Sequence, residues 1–248
     1  MKKYCLIESN QEYHGQKLYQ IQALRDFTAI EGIEIKQGDL GGFVSGEHNL
    51  SHQGNCWIAN QAKVLGQAFV SENAFVRGFC VLCDQVQVFG NAQVIRGYIC
   101  GKVQIYDNAF VGVKGWIAGQ GQIFGNASIS GKDTTILGNI KIFDNAIIGG
   151  SLIGTIHLQG NINIAGNARI EANCNLKGDT LIQSKNIAIL HNDDAQYDEK
   201  RVDLFVCELR NNPDVSVEYL QNKFSLSLQE TYSYLEMARY LFNYRNLF

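Results

Sequence analysis

The sequence predicts an all-β solenoid, a three-sided parallel β-helix, over residues 42–190. Three observations predict it: a six-residue repeat, alternation of buried and exposed positions within each repeat, and a longer period of about 18 residues. We expect residues 1–41 to form a β lead-in that caps the first coil, and residues 191–248 to form a helical tail. The hydrophobic content of 46% is sufficient for a core of this kind.

The six-residue repeat runs from Cys56 to about residue 185 in 22 units. A typical unit is Ala62-Lys63-Val64-Leu65-Gly66-Gln67, in which a small and an aliphatic residue alternate with polar residues. Such alternation is typical of a short strand with one buried face, and the glycine, aspartate or asparagine after it bends the chain. The chain has 25 glycines and 1 proline, as expected where every rung must keep its backbone N–H groups for hydrogen bonds.

The longer period is set by a corner asparagine followed by alanine. These asparagines recur every 17–19 residues, and Asn161 is predicted to continue the column. Three units therefore make one coil, and about seven coils would give a rod of roughly 34 Å at about 4.8 Å per rung. We expect the stacked amides to hydrogen-bond along the axis, although asparagine at a bend can also be a simple turn former. The members of this corner ladder are Asn73, Asn91, Asn108, Asn126 and Asn145.

Both ends of the chain depart from the repeat. Residues 4–8, 17–24 and 30–36 read as short strands. After Asp198 the period becomes helical, with helices predicted over 200–211, 215–224 and from Ser227 to about Asn243.

Composition excludes several classes of protein. The chain has no run of about 20 apolar residues, so no membrane span is expected, and the acidic Glu8 comes too early for a signal peptide. Seven cysteines without disulfide spacing favour a reduced, cytoplasmic setting. The net charge of −3 gives no nucleic-acid footprint, and the tail, with 6 basic and 10 acidic residues, makes DNA binding through it the weakest of the hypotheses.

Two outward surfaces are predicted to be apolar. One carries a column of aromatic rings, and the other carries Tyr98 and Trp116 beside a column of smaller apolar residues. Apolar patches of this size are rarely left in water, so we expect them to be covered by the tail or by a partner subunit in a homo-oligomer, a trimer or a dimer. The alternative is that such a side forms a ligand groove. The predicted interface residues are Phe89, Tyr106, Phe124, Phe143, Trp116, Tyr98, Leu137 and Ile153.

The repeat resembles the hexapeptide-repeat, left-handed parallel β-helix superfamily, over roughly residues 42–185. The opening segments Leu18–Phe27, Gly38–Val44 and Leu50–Ile58 are similar to those of uncharacterised bacterial and prophage-borne proteins labelled acetyltransferase-like. The left-handed sense of the coil is implied only by the resemblance, because bactofilin-like right-handed solenoids have a similar repeat spacing. The resemblance implies a trimer, and acyl-CoA in a groove between subunits if the chain is an enzyme.

A catalytic histidine is also implied by the resemblance, as the general base on an acceptor hydroxyl or amine. His157, predicted to point outward in the aromatic column, is the best geometric candidate, and His52 near the first coil is the second. Each is also consistent with a solvated or turn residue. Two departures from the enzymes of this superfamily count against catalysis. Many of those enzymes extrude a long loop that shapes the acceptor site, and no long loop interrupts the repeat here. A proline-bearing C-terminal coil often frames their CoA pocket, whereas the single proline of this chain, Pro213, lies outside the solenoid.

The cysteines carry no predicted metal site. Cys80-Val81-Leu82-Cys83 spells C-x-x-C, but alternation places Cys80 inward and Cys83 outward. Cys83 and Cys100 should lie on adjacent rungs, where a disulfide is geometrically possible.

Three functions therefore remain open from the sequence. The first is a non-catalytic, oligomeric scaffold or interaction protein, phage-associated by resemblance and without a cofactor, whose apolar sides bind itself or a protein partner. The second is an acyltransferase that uses acetyl-CoA or another acyl-CoA, and the third is a nucleic-acid module.

Overall fold

The computed structural model describes residues 2–30, 32–149, 156–170, 174–184 and 216–225, together with Leu204 and Glu208. Within these residues the chain is almost entirely β-structure, with one short 3-10 helix at Glu47–Asn49 and one α-helix, α1, at Val217–Phe224. The strands are β1 Tyr4–Tyr13, β2 Gln16–Ala23, β3 Phe27–Ile30, β4 Ile33–Ile35, β5 Leu40–Val44, β6 Trp57–Ile58, β7 Lys63–Val64, β8 Phe69–Val70, β9 Phe75–Leu82, β10 Gln87–Val88, β11 Gln93–Ile105, β12 Phe110–Ile123, β13 Ser128–Ile142, β14 Ile147–Ile148, β15 Ile156–Gly166, β16 Arg169–Ile170 and β17 Cys174–Ser184.

From β5 onward the strands pair in parallel with the equivalent strand of the next coil, which confirms the predicted solenoid. Trp57 pairs with Phe75, Phe75 with Gln93 and Gln93 with Phe110, so each side of the solenoid returns once per coil at the predicted period. The described residues form about 7 turns.

Small and aliphatic residues fill the inside of every coil. Ala62, Val64, Ala68 and Val70 are each fully buried, and the same pair of positions is buried in the following coils. Side chains alternate across a strand, so each rung sends an apolar residue inward and its neighbour outward, and equivalent positions stack on the rungs above and below.

The second half departs from the prediction of very short strands, because β11, β12 and β13 run for 13, 14 and 15 residues. Glycines inside these strands have positive φ, 88° at Gly101, 125° at Gly119 and 116° at Gly138. Glycine adopts this conformation without a Cβ penalty, so the chain bends between two sides while its ladder hydrogen bonds continue.

The N-terminal hairpin joins the solenoid sheet, whereas β3 and β4 pair with each other in a separate two-stranded sheet. β1 and β2 form an antiparallel hairpin, and β2 pairs antiparallel with β5. His14 and Gly15 at its tip have φ of 50° and 76°, typical of a tight hairpin turn. Leu18 of this hairpin packs with Phe43 and Leu65, so it covers the first part of one apolar side.

α1 matches the helix predicted over 215–224 and is capped at both ends. The Ser216 side chain accepts a hydrogen bond from the Tyr219 N–H, and Ser225 ends the helix in the left-handed conformation. Leu220 is completely buried and belongs to the same core as the coils. Of the helix predicted over 200–211 only Leu204 and Glu208 are described, and both are helical. The helix predicted from Ser227 lies outside the described residues. None of the described helices is long and apolar enough to cross a membrane.

Candidate functional site

The predicted aromatic column is a continuous stack. Ring centroids are 4.8 Å apart for Phe89 and Tyr106, 5.0 Å for Tyr106 and Phe124 and 5.0 Å for Phe124 and Phe143, with interplanar angles of at most 5°. Beside it, Gln104 donates to Gln87 at 2.9 Å. The four rings of this aromatic stack are each half-buried, because each inner ring covers the faces of its neighbours. The stack therefore exposes ring edges and less apolar area than separate rings would.

The corner asparagines form the hydrogen-bonded ladder that their spacing indicates. Asn73 donates to Asn91 at 3.3 Å and Asn91 to Asn108 at 3.3 Å, and the chain continues through Asn126 and Asn145. Asn145 then donates to Asn167, at 3.1 Å. Asn161, which the repeat predicts in this column, instead accepts from Asn139 in a second ladder.

His157 lies on a different side from the one that the sequence indicates. It pairs with Thr135, which pairs with Trp116, which pairs with Tyr98, so it belongs to this Tyr98 column and not to the aromatic stack. The step from Thr135 to His157 along the chain is longer than the two steps before it. The repeat counts residues 150–155 as a unit of their own, and with that unit counted the residues of β15 are each predicted one side away from where they lie.

The His157 side chain is exposed. Within the part of the chain that the structure describes, neither of its ring nitrogens has a hydrogen-bond partner. Among the described residues, therefore, nothing occupies the ring nitrogen that would take the proton of an acyl acceptor.

His52 is engaged at both ring nitrogens. Its Nδ1 accepts from the Lys3 N–H at 3.2 Å, which places the ring proton on Nε2, and Nε2 donates to Glu47 at 2.9 Å. The ring stacks on Tyr4 with centroids 4.2 Å apart. Hydrogen bonds from Lys2 and His52 lower the pKa of the Glu47 carboxyl. His52 thus ties β1 to the first coil and has no nitrogen free to act as a base.

A cleft of about 550 Å³ opens beside the Tyr98 column. Two cations, Arg96 and Lys114, and two aromatic rings, Phe79 and Tyr98, line this cationic cleft. Both cations are exposed, and neither forms an ion pair with any other described residue. Its lining holds no acidic side chain among the described residues, so the cleft suits an anion that also carries a ring.

Of the remaining predicted interface residues, Tyr98 lines this cleft. The Tyr98 and Trp116 rings touch with centroids 4.4 Å apart, and Trp116 remains 53% exposed. Phe79 is 77% exposed. Leu137 is half-buried one position beyond the buried Ile136, and Ile153 lies outside the described residues.

A second groove, of about 510 Å³, lies past the Gly121 bend. Asn139 and Asn161 of the second ladder line it together with glutamine amides, and so do Lys102 and Lys141. Gln122 donates to Gln104 at 3.1 Å, so the amides are largely occupied along the axis. The described lining of this groove is polar and lacks an exposed aromatic ring.

Comparison with known proteins gives one match of interest. No family model matches the chain. Over 103 aligned residues, 38% of this chain and 30% of the other protein, it is 32% identical to a protein of Escherichia coli K12 named "Uncharacterized acetyltransferase YdcK". Fold and match together fit a hexapeptide-repeat, acetyltransferase-like protein. The match covers less than a third of the YdcK protein, so activity and substrates do not transfer with it.

Sequence reasoning missed the cationic cleft. Phe79 and Arg96 face each other across adjacent rungs, and Lys114 follows one coil later. One coil length separates each of the three from the next. The recurrence of Phe79, Arg96 and Lys114 at the coil period, at a corner and not on a side, is the sequence signal that could have predicted the cleft.

Proposed function

We propose that this protein is an acyl-CoA-dependent acyltransferase, in which the cationic cleft binds the phosphates of acyl-CoA and His157 is the general base. The carrying observation is that two cations without ion-pair partners among the described residues and two aromatic rings share a cleft beside the column of outward side chains that contains His157. The similarity to YdcK supports the same class of reaction.

The chemistry of the cleft fits the adenosine end of coenzyme A. Arg96 presents a planar fork of donors suited to phosphate oxygens, and Lys114 adds a mobile positive charge. Phe79 and Tyr98 offer ring faces on which an adenine base can stack. An ATP-like ligand carries the same phosphate and adenine groups. The two ligands differ in length, so the distance from the cleft to His157 distinguishes them.

His157 lies three rungs beyond Tyr98 and two beyond Trp116. At about 4.8 Å per rung these steps correspond to about 14 Å and about 10 Å. The pantetheine arm can cover such a distance along the groove, over Trp116, and place its thioester beside the histidine. A nucleotide without that arm ends at the cleft.

The proposed reaction needs only the histidine and the two substrates. The nitrogen of His157 that carries no proton takes the proton of the acceptor hydroxyl or amine as its oxygen or nitrogen forms a bond to the thioester carbonyl carbon. The carbon–sulfur bond then breaks, and the proton on His157 passes to the leaving CoA thiolate. The products are the acylated acceptor and free CoA.

The test separates binding from chemistry. Calorimetric titration of the full chain with acetyl-CoA should show binding that is weakened at least about tenfold in Arg96→Gln/Lys114→Gln, since each charge-assisted hydrogen bond contributes about 1.5–3 kcal/mol. His157→Gln should keep the affinity for acetyl-CoA and lose CoA release in the presence of a panel of amine and hydroxyl acceptors.

The matched control is Lys102→Gln, which removes an exposed cation from the amide-lined groove. It should bind acetyl-CoA as the unmodified protein does. Absence of binding at millimolar acetyl-CoA, or equal binding by the cleft variant and the control, would refute the proposal. ATP binding as tight as acetyl-CoA binding would refute the role of the arm.

A second candidate function, self-association or protein binding, is favoured by the exposure of Phe79 and Trp116. Large rings this exposed are unusual on a lone subunit. The two functions are compatible, because a subunit packed beside the Tyr98 column would wall the acyl-CoA groove.

A further inference from the structure

Cys83, Asp84 and Cys100 come together at one corner of two adjacent coils. Their sulfur and carboxylate oxygen atoms all lie within 4.8 Å of one another. Cys80, the other cysteine of the C-x-x-C pattern, is not part of this cluster, because it is only 1% exposed and points into the core. Cys83 and Cys100 are half-buried and Asp84 is exposed, so the cluster is open to solvent.

The backbone fixes the position of the carboxylate. Asp84 sits at the corner with φ of 59°, and its Oδ2 accepts the Gly101 N–H at 2.9 Å. Among the described residues Oδ1 has no hydrogen-bond partner. One oxygen therefore holds the side chain against the next coil, and the other is available beside the two sulfurs.

No cation among the described residues stabilises a thiolate in this cluster. Burial raises the pKa of the Cys100 thiol to about 11, with Cys83 and Asp84 adding to the rise. Burial also raises the pKa of Cys83, although a hydrogen bond with Tyr98 opposes the rise. These thiols are therefore not activated nucleophiles, and a bound cation would supply the positive charge that their thiolate forms lack among the described residues.

We propose that Cys83, Cys100 and Asp84 bind a thiophilic divalent cation, and that this cation is Zn²⁺. Two thiolates and one carboxylate, completed by water, give the four-coordinate geometry that Zn²⁺ takes in sites with three protein ligands. Tyr98, whose oxygen lies 3.3 Å from the Cys83 sulfur, would donate to the bound thiolate and orient it. Binding releases both thiol protons, so affinity rises with pH.

The geometry also gives the ion a structural consequence. Cys83 follows β9 and Cys100 lies in β11, so the ion would link two coils. Tyr13 of the N-terminal hairpin and Cys83 pack against the same buried cluster of Leu18, Phe43 and Leu65, which places the site near the tip of that hairpin. Binding of the ion should therefore raise the free energy of unfolding of the solenoid together with its N-terminal hairpin.

The experiment uses the full chain, reduced with a phosphine and freed of metal, titrated with Co²⁺ and then with Zn²⁺. We expect one Co²⁺ per chain, thiolate-to-cobalt charge-transfer absorption in the near ultraviolet, and loss of that absorption when Zn²⁺ displaces Co²⁺. Cys83→Ser and Cys100→Ser should each weaken binding about hundredfold and Asp84→Asn about tenfold.

Asp84→Asn is a conservative variant, because asparagine tolerates the left-handed conformation and keeps the hydrogen bond to Gly101. Cys5→Ser, which removes a half-buried thiol from β1, is the matched control and should bind normally. Circular dichroism confirms that each variant is folded. The proposal is overturned if charge-transfer absorption is absent from the reduced protein, or if it persists in Cys83→Ser/Cys100→Ser. A Cys83–Cys100 disulfide that resists the phosphine would overturn it too.

Discussion

The side-chain nitrogen of Lys3 lies 2.7 Å from the carbonyl oxygen of Cys56 and 3.1 Å from its sulfur. Lys3 is completely buried, and burial lowers the pKa of its ammonium group. This pair joins β1 to the start of the first coil, beside the ring of Phe27, whose centroid is 5.6 Å from the nitrogen. A buried cation needs such partners, so the oxygen and sulfur of Cys56 hold the start of the chain against the first coil.

Lys3→Met should lower the free energy of unfolding by about 1–3 kcal/mol. Methionine fills similar space but leaves the Cys56 carbonyl without the ammonium donor, and buried polar groups that lose a partner cost about that amount. Urea denaturation followed by circular dichroism measures the change. Lys2→Met is the control, because Lys2 only forms an exposed ion pair with Glu47, and it should change stability by less than about 1 kcal/mol.

Gly119→Ala should prevent the coils from stacking normally. Gly119 has φ of 125°, and a Cβ there would lie 2.1 Å from the carbonyl oxygen of Gly138 on the next rung. Since that oxygen is backbone in a continuous ladder, two strands must separate, and we expect a loss of about 4 kcal/mol or more, or no folded protein.

Gly38→Ala separates this clash from backbone strain. Gly38 also has positive φ, 94°, but a Cβ added there would meet nothing within 4 Å. Its alanine variant should lose only about 1 kcal/mol, the cost of a left-handed conformation. Equal losses in the two variants, measured by thermal unfolding, would show that the space between rungs is not what selects glycine.

The particular residues show why the sequence predicts the coil and misses parts of the site. Asn73 and Asn91 recur at the true coil length, so the period, the inward side chains and the corner ladder follow from local pattern. The sequence places His157 on the wrong side, because the repeat counts one unit more between Thr135 and His157 than the pairing of β13 with β15 allows. The closeness of Arg96 to Lys114 follows from their one-coil spacing, whereas the pairing of β2 with β5 depends on which segments meet when the chain folds.

The two aromatic columns should respond differently to a glutamate substitution. Trp116→Glu removes a ring that is 53% exposed, so the variant should stay folded and, if the Tyr98 column binds a second subunit, show a smaller molar mass by light scattering. Phe124 lies between two rings at 5.0 Å, so Phe124→Glu should lower stability, since aromatic pairs contribute about 0.5–1.5 kcal/mol each. Unchanged mass in Trp116→Glu would argue against association through this column.

Stability should fall as the pH rises above the ordinary pKa of a thiol, and Cys80 should account for part of the fall. Burial raises the pKa of Cys80 from 9.0 to about 12. The unfolded chain therefore loses the Cys80 proton at a pH where the folded chain keeps it, and the stability present at neutral pH is lost as pH rises. The expected contribution is about 1 kcal/mol between about pH 8 and pH 10.

The measurement compares the pH dependence of unfolding in the unmodified protein and in Cys80→Ala. The core packing lost in the alanine variant lowers its stability by the same amount at every pH, so this loss by itself does not affect the slope of stability against pH. Lys3, whose pKa is lowered by burial, acts in the opposite direction, because stability rises as the unfolded chain gives up its extra proton, but it contributes equally to both proteins. A smaller slope in Cys80→Ala is thus attributable to the thiol, and identical slopes would contradict the assignment of Cys80 as a group kept protonated by the core.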